Sequence, residues 1–123
     1  MIMKPTILLL TVLSIFLNKQ LFGQQKGLAL ISIQTSAICE MCKDAIEYEL
    51  TFTKGVKNAN LDLETKKVTV EYNPKKINAS QLRETISLIG YHADNIKRDS
   101  IGYQKLPFCC RDDSHHGKHK KHG

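Results

Sequence analysis

The feature that most constrains this chain is the order in which two hydrophobic periods follow one another between Gly27 and Arg98. Gly27 to Thr35 is apolar and β-permissive, with Ile31, Ile33 and Thr35 alternating toward one face. Ser36 to Cys39 then turns the chain, and Lys43 to Thr53 carries Ile46 and Leu50 one helical turn apart before Gly55 ends the run. Alternation returns as Ala59, Leu61, Leu63 and again as Val68, Val70, Tyr72, with the polar turn Glu64-Thr65-Lys66 between, which predicts a hairpin. Pro74 stops that strand. Asn78 to Gln81 has capping-box spacing ahead of a second helix whose Leu82, Ile86 and Ile89 face inward, and Gly90 closes it. Tyr91 to Arg98, with Ala93 and Ile96, predicts a fourth strand. The order is βαββαβ, so the expected fold is α+β and ferredoxin-like: a four-stranded antiparallel sheet with two helices on one face.

The flanks of that unit differ in character. Residues 1–23 read as an export signal, with Lys4 ahead of an apolar run from Ile7 to Leu17 and removal expected near Gly23. That run is shorter than the roughly 20 residues a membrane-spanning helix needs. About 100 residues then remain, enough for one modest core, and the expected location is periplasmic or secreted. Residues 27–98 form the expected domain and 99–123 a largely disordered tail, in which Ser100 to Pro107 is a connecting segment. The 18 basic residues against 12 acidic ones become 16 to 12 once Lys4 and Lys19 leave with the signal. Part of the surplus is Lys118, Lys120 and Lys121 in the tail, which makes it a local appendage and not a nucleic-acid-binding face.

The chemistry is concentrated in cysteine and histidine. Cys39 and Cys42 are three residues apart where the first strand gives way to the first helix. Thiolates are the soft ligands that select Cu(I), Hg(II) or, with more partners, Zn(II). Exposed N–H groups and the helix dipole at a helix N-terminus lower a thiol's pKa, which favours Cys42 as a thiolate. Two protein ligands in an exposed loop leave a coordination position for a partner, which suits transfer better than permanent storage. The same pair can close into a disulfide or act as a redox couple in an oxidising compartment. Against redox catalysis stand the absence of Trp, the absence of Pro between the cysteines and the element order.

Cys39-x-x-Cys42 after a first strand and opening the first helix of a βαββαβ unit resembles the heavy-metal-associated domain, over roughly Leu28 to Lys97. That family includes soluble copper chaperones, the amino-terminal domains of metal-pumping ATPases and the periplasmic mercury-binding protein. The resemblance implies a non-enzymatic metallochaperone or metal buffer, a monomer, that holds Cu(I) first, with Hg(II) and Zn(II) as alternatives. It implies a membrane metal transporter or another CxxC protein as partner. Tyr91 corresponds to the aromatic that lies near the metal loop in similar bacterial chaperones, where a phenol can shield the thiolates or simply cover the core. The chain departs from the usual Gly-Met-Thr-Cys lead-in, because Ala37 stands where a core-plugging Met is usual.

Two features lie beyond that resemblance. The ten or so residues from Asp99 to Cys109 span about 33 Å if extended, against about 20 Å for the distance a fourth strand carries the chain from the loop. Cys109 and Cys110 are therefore within reach of Cys39 and Cys42 as added thiolates or disulfide partners, or they form an independent pair on a loose tail. His115, His116, His119 and His122 fall within the last nine residues and supply imidazoles suited to Cu(II), Zn(II) or Ni(II), more weakly as pH falls through about 6.5. A rival of the same fold, the RNA-binding module, stacks bases on aromatics of its third strand. Here Lys67 to Tyr72 carries one aromatic, and nucleic acid is not an expected partner.

Overall fold

The computed structural model describes residues 27–111. The expected export signal and the four tail histidines, His115, His116, His119 and His122, lie outside the described residues. Strand β1 (Ala29–Gln34) is followed by helix α1 (Glu40–Thr51), strands β2 (Val56–Asp62) and β3 (Lys67–Tyr72), and helix α2 (Ala79–Leu88). A short helix α3 (Ser100–Gln104) and a 3-10 turn (Phe108–Cys110) complete it. The sheet is antiparallel in the order β1-β3-β2, with β3 central: Ile33 lies opposite Val68, and Val68 opposite Leu61.

Alternation along the strands puts one face in the core and the other in water. Ile33, Ala59, Leu61, Val68 and Val70 are buried on the inner face, while Leu30, Asn58, Asn60 and Thr69 face outward. Helix α1 answers with Cys42, Ile46 and Leu50, a stripe at intervals of four, and α2 with Leu82 and Ile86. Cys42 is thus the first residue of a core stripe as well as a thiol. Both groups of the expected capping box on α2 are made: Gln81 N–H donates to Asn78 Oδ1 at 2.8 Å and Asn78 N–H to Gln81 Oε1 at 3.0 Å. No helix among the described residues is long and apolar enough to cross a membrane.

The expected fourth strand is not present as one; among the described residues the sheet has three strands. Tyr91 to Arg98 makes only single bridges, Thr35 with Ala93 and Ala93 with Ile96. The reason is a tight turn at Asp94-Asn95. Ala93 and Ile96 exchange backbone hydrogen bonds of 3.0 and 2.9 Å, and Asp94 takes φ 50°, the left-handed region Asp and Asn enter most readily among non-glycine residues. The C-terminal end of the β1 edge is nonetheless covered: Asp94 N–H donates to the Gln34 carbonyl, and Gln34 N–H donates to the Asp94 carboxylate, both at 2.8 Å.

The segment expected to be a structureless connection folds back onto the domain. Asp99 caps α3 through Gly102 N–H and donates its own N–H to the Ser87 carbonyl, while Ser87 Oγ donates to the Lys97 carbonyl. The Arg98 guanidinium stacks 3.6 Å from the centre of the Tyr103 ring. Gly102 is buried, and a Cβ there would strike the Leu88 carbonyl and the Gly90 amide. Gly90 is the other half of the contact, with φ +103° and no room for a Cβ against the backbone of Gly102 and Tyr103. Leu106 packs against the core, and Cys110 N–H donates to the Pro107 carbonyl, leaving Cys110 buried.

Two outcomes follow from these contacts. Val at Gly102 overpacks the joint, costing about 1–3 kcal/mol, and releases the C-terminal segment; in thiol-modification kinetics Cys110 of Gly102→Val then reacts as fast as Cys109. Persistent protection of Cys110 would show that the joint does not hold the segment. The Asp94 carboxyl sits below its ordinary pKa: partial burial opposes ionisation, but the Arg83 guanidinium at 2.8 Å and the Gln34 amide outweigh it. A depressed folded-state value means the stabilisation is complete above the unfolded pKa near 3.9 and is lost as pH falls through the folded value. Asp94→Asn, which keeps the left-handed backbone, therefore loses about 1 kcal/mol at neutral pH and matches the parent once both are acidified below that window. Equal stability at neutral pH, measured by urea unfolding, would remove the charge from the account.

Candidate metal centre

Strand β1 ends at Gln34, and Thr35, Ser36 and Ala37 ahead of Cys39 are held by hydrogen bonds. Thr35 N–H and Oγ1 both donate to the Lys66 carbonyl at 2.8 Å, and Thr35 Oγ1 accepts from Ala37 N–H at 3.2 Å. Ser36 Oγ accepts from His92 N–H at 2.9 Å, and His92 Nδ1 accepts from Arg98 N–H at 3.2 Å. Ala37 is fully buried. The loop is therefore pinned by polar contacts to the β2–β3 turn and to the Tyr91–Arg98 segment, in place of a methionine plug. His92 is one of these pins.

Cys39 is the N-cap of α1, and its carbonyl accepts from Lys43 N–H at 3.1 Å. Its sulfur lies 3.1 Å from Cys42 Sγ and 3.4 Å from Cys110 Sγ. The three sulfurs of Cys39, Cys42 and Cys110 all lie within 4.8 Å of one another. A trigonal planar site with metal–sulfur bonds of about 2.3 Å has sulfur–sulfur separations of about 4.0 Å, so these side chains need only small adjustments to converge on one ion. Of the two cysteines in the tail pair, Cys110 joins the cluster. Cys109 stays exposed, with its thiol donating to Met41 Sδ at 3.4 Å. All four cysteines are free thiols.

The sulfurs are not equivalent. Burial opposes ionisation of Cys39, but the thiol and backbone amide of Cys42, then the thiols of Cys110 and Cys109, face its sulfur and hold its pKa below the ordinary value. Burial pushes the Cys110 thiol well up, the neighbouring Cys42 and Cys39 sulfurs push it further, and the Tyr91 hydroxyl acts in the opposite direction. Cys39 is therefore the first of this pair to ionise. Tyr91 is 1% exposed, and its hydroxyl has no hydrogen-bond partner among the described residues. That buried donor faces the sulfurs of Cys42 and Cys110, and burial followed by those sulfurs raises its own pKa strongly. An unsatisfied O–H against two thiols becomes a satisfied one when either sulfur is an anion.

Sequence reasoning reached Cys39, Cys42 and Tyr91 and left open whether the second cysteine pair returns. The geometry brings in Cys110 and separates it from Cys109. Distance along the chain put both tail cysteines within reach of the loop, and no local pattern distinguishes Cys110 from Cys109.

Comparison with known proteins gives a consistent result. The profile of the heavy-metal-associated domain matches residues 36–92. Over 53 residues the chain is 42% identical to a copper-exporting P-type ATPase of Bacillus subtilis, covering 43% of this chain and 7% of the ATPase. It is 38% identical to the copper chaperone CopZ of Staphylococcus epidermidis over 53 residues, 43% of this chain and 78% of CopZ. Among solved structures, a CopZ metallochaperone superposes with a TM-score of 0.51 at 30% identity, covering 53% of this chain and 98% of that one. Most of a copper chaperone's length is thus matched here, with the C-terminal cysteines lying past the matched profile, and the chain belongs to the heavy-metal-associated domain family.

Proposed function

We propose that this chain is an exported, periplasmic or secreted protein that binds a soft metal ion, Cu(I) as its principal cargo, on Cys39 and Cys42 with Cys110 as third thiolate, and passes or buffers it without catalysis. The observation that carries this reading is the convergence within 4.8 Å of one another of three sulfurs, two from the start of α1 and one from the 3-10 turn near residue 110. Thiolate donors select soft d10 ions, and three of them satisfy Cu(I) while leaving Zn(II) short of its usual four ligands. Hg(II) and Zn(II) are the lesser alternatives. The similarity to a copper chaperone and to a copper-exporting ATPase supports copper as the cargo and a metal-transporting ATPase or another CxxC protein as the partner.

Release proceeds by ligand exchange. Cys110 sits on a 3-10 turn at the end of the docked segment, so it is the ligand that an incoming thiolate displaces with least disturbance. Cys42, anchored in the core stripe, stays. The tail histidines His115, His116, His119 and His122 are proposed as a secondary, weaker collecting site for ions that prefer imidazole.

A second reading, a thiol–disulfide protein, is favoured by one arrangement: a Cys39 thiol of lowered pKa 3.1 Å from a buried Cys42. Competition for Cu(I) against a chromophoric chelator separates the readings. Cys39→Ser/Cys42→Ser is expected to lose at least roughly a thousandfold in affinity and Cys110→Ser at least about tenfold, or about 4 and 1.4 kcal/mol. Full affinity in the double variant would refute the metal site, and disulfide-reductase turnover without metal binding would establish the second reading.

A further inference from the structure

The sulfur atoms at the loop end of the fold form a continuous line. From Cys42 Sγ the steps are 3.1 Å to Cys39, 3.4 Å to Cys110, 4.0 Å to Cys109 and 3.4 Å to Met41 Sδ. The outer end is the exposed one: Cys42 is fully buried, Cys39 half-buried and Cys110 3% exposed, whereas Cys109 is exposed and Met41 is 53% exposed. The inner end is the three-thiol cluster, and the outer pair lies beyond it, joined to it through the Cys109–Cys110 contact. Met41 is in the first turn of α1 and Cys109 comes from the 3-10 turn, so their contact joins residues 68 apart in the chain.

We propose that Met41 Sδ and Cys109 Sγ form an outer subsite for a second Cu(I), with Cys110 Sγ bridging the outer and inner ions. The contact already points a thiol proton at a thioether lone pair, and the cation takes the place of that proton. With bonds of about 2.3 Å an ion reaches both sulfurs at a bent angle of about 95°, and both side chains are free to open it. The 4.0 Å between Cys109 and Cys110 matches the sulfur–sulfur separation of a trigonal site with such bonds, about 4.0 Å. The charge balance is favourable. The second Cu(I) brings one positive charge and releases one proton from Cys109 to solvent, so the net charge of the cluster does not change. Thioether and thiolate together are a soft donor pair that excludes Mg(II) and Ca(II). Exposure makes this pair the first sulfurs that an arriving ion meets, with the inner cluster two ligand exchanges away.

The bridge rests on the reading of Cys39, Cys42 and Cys110 as a Cu(I) site, and the test separates the two. The full reduced chain, labelled with selenomethionine, is titrated anaerobically with Cu(I) against a chromophoric chelator and followed by copper X-ray absorption. The parent is expected to take up two equivalents, with copper–selenium scattering developing only above the first. Met41→Leu/Cys109→Ser is expected to stop at one sulfur-bound equivalent, with the first affinity changed less than about twofold and no copper–selenium signal. Saturation of the parent at one equivalent overturns the proposal, as does a second equivalent bound by nitrogen alone or a selenium signal that survives in the double variant. In Cys39→Ser/Cys42→Ser, copper–selenium scattering at the first equivalent supports the outer subsite by itself. Unaltered uptake of a first, selenium-free equivalent in that variant contradicts the inner site instead.

Discussion

The backbone contact between Gly102 and the Leu88–Gly90 turn decides where the second pair of cysteines goes. Two glycines let α3 lie directly on the end of α2, and everything beyond follows from that docking: Leu106 on the core, the 3-10 turn over the loop, and Cys110 against Cys39. The domain without this joint would present two thiols at a helix start. With it, the domain carries its own third ligand, fixed by packing at the far end of the chain from the first two.

Electrostatics explains why such a cluster suits a cation. Two thiolates 3.4 Å apart, as Cys39 and Cys110 would be, repel by about 5 kcal/mol at an effective dielectric constant of about 20. Without metal the shifts run in opposite directions, Cys39 down and Cys110 up. A soft cation among the three sulfurs converts that repulsion into attraction. The buried Tyr91 hydroxyl fits the same picture, since it lacks an acceptor when its neighbours are neutral thiols and gains one when they are anions. Closing the cluster with a ligand from its own chain favours retention over release, so handover depends on how readily the 3-10 turn lifts.

Much of this was legible in the sequence because it was written in local patterns. The alternation of β2 and β3, the stripe Ile46 and Leu50, and the capping pair Asn78 and Gln81 each determine an element without reference to anything distant. The fourth strand failed because Ala93 and Ile96, its only aliphatic content, stand three apart and share no face of a strand, while the backbone preference of Asp94-Asn95 turns the chain there. The helix after Asp99 is too short to show a period, and its stability comes from the glycine joint, a tertiary contact that no pattern within five residues reveals. Cys110 belongs to the same class: only distance along the chain was readable, whereas its place beside Cys39, with Cys109 left outside on Met41, depends on how the last turn packs.

In the proposed site the chain itself supplies three sulfurs to one soft ion. Copper X-ray absorption on the reduced chain of 123 residues, loaded with a single equivalent of Cu(I), tests this. Three sulfur neighbours at a common distance are predicted; a two-sulfur linear site, or nitrogen in the first coordination sphere, would rule out Cys110 as the third ligand.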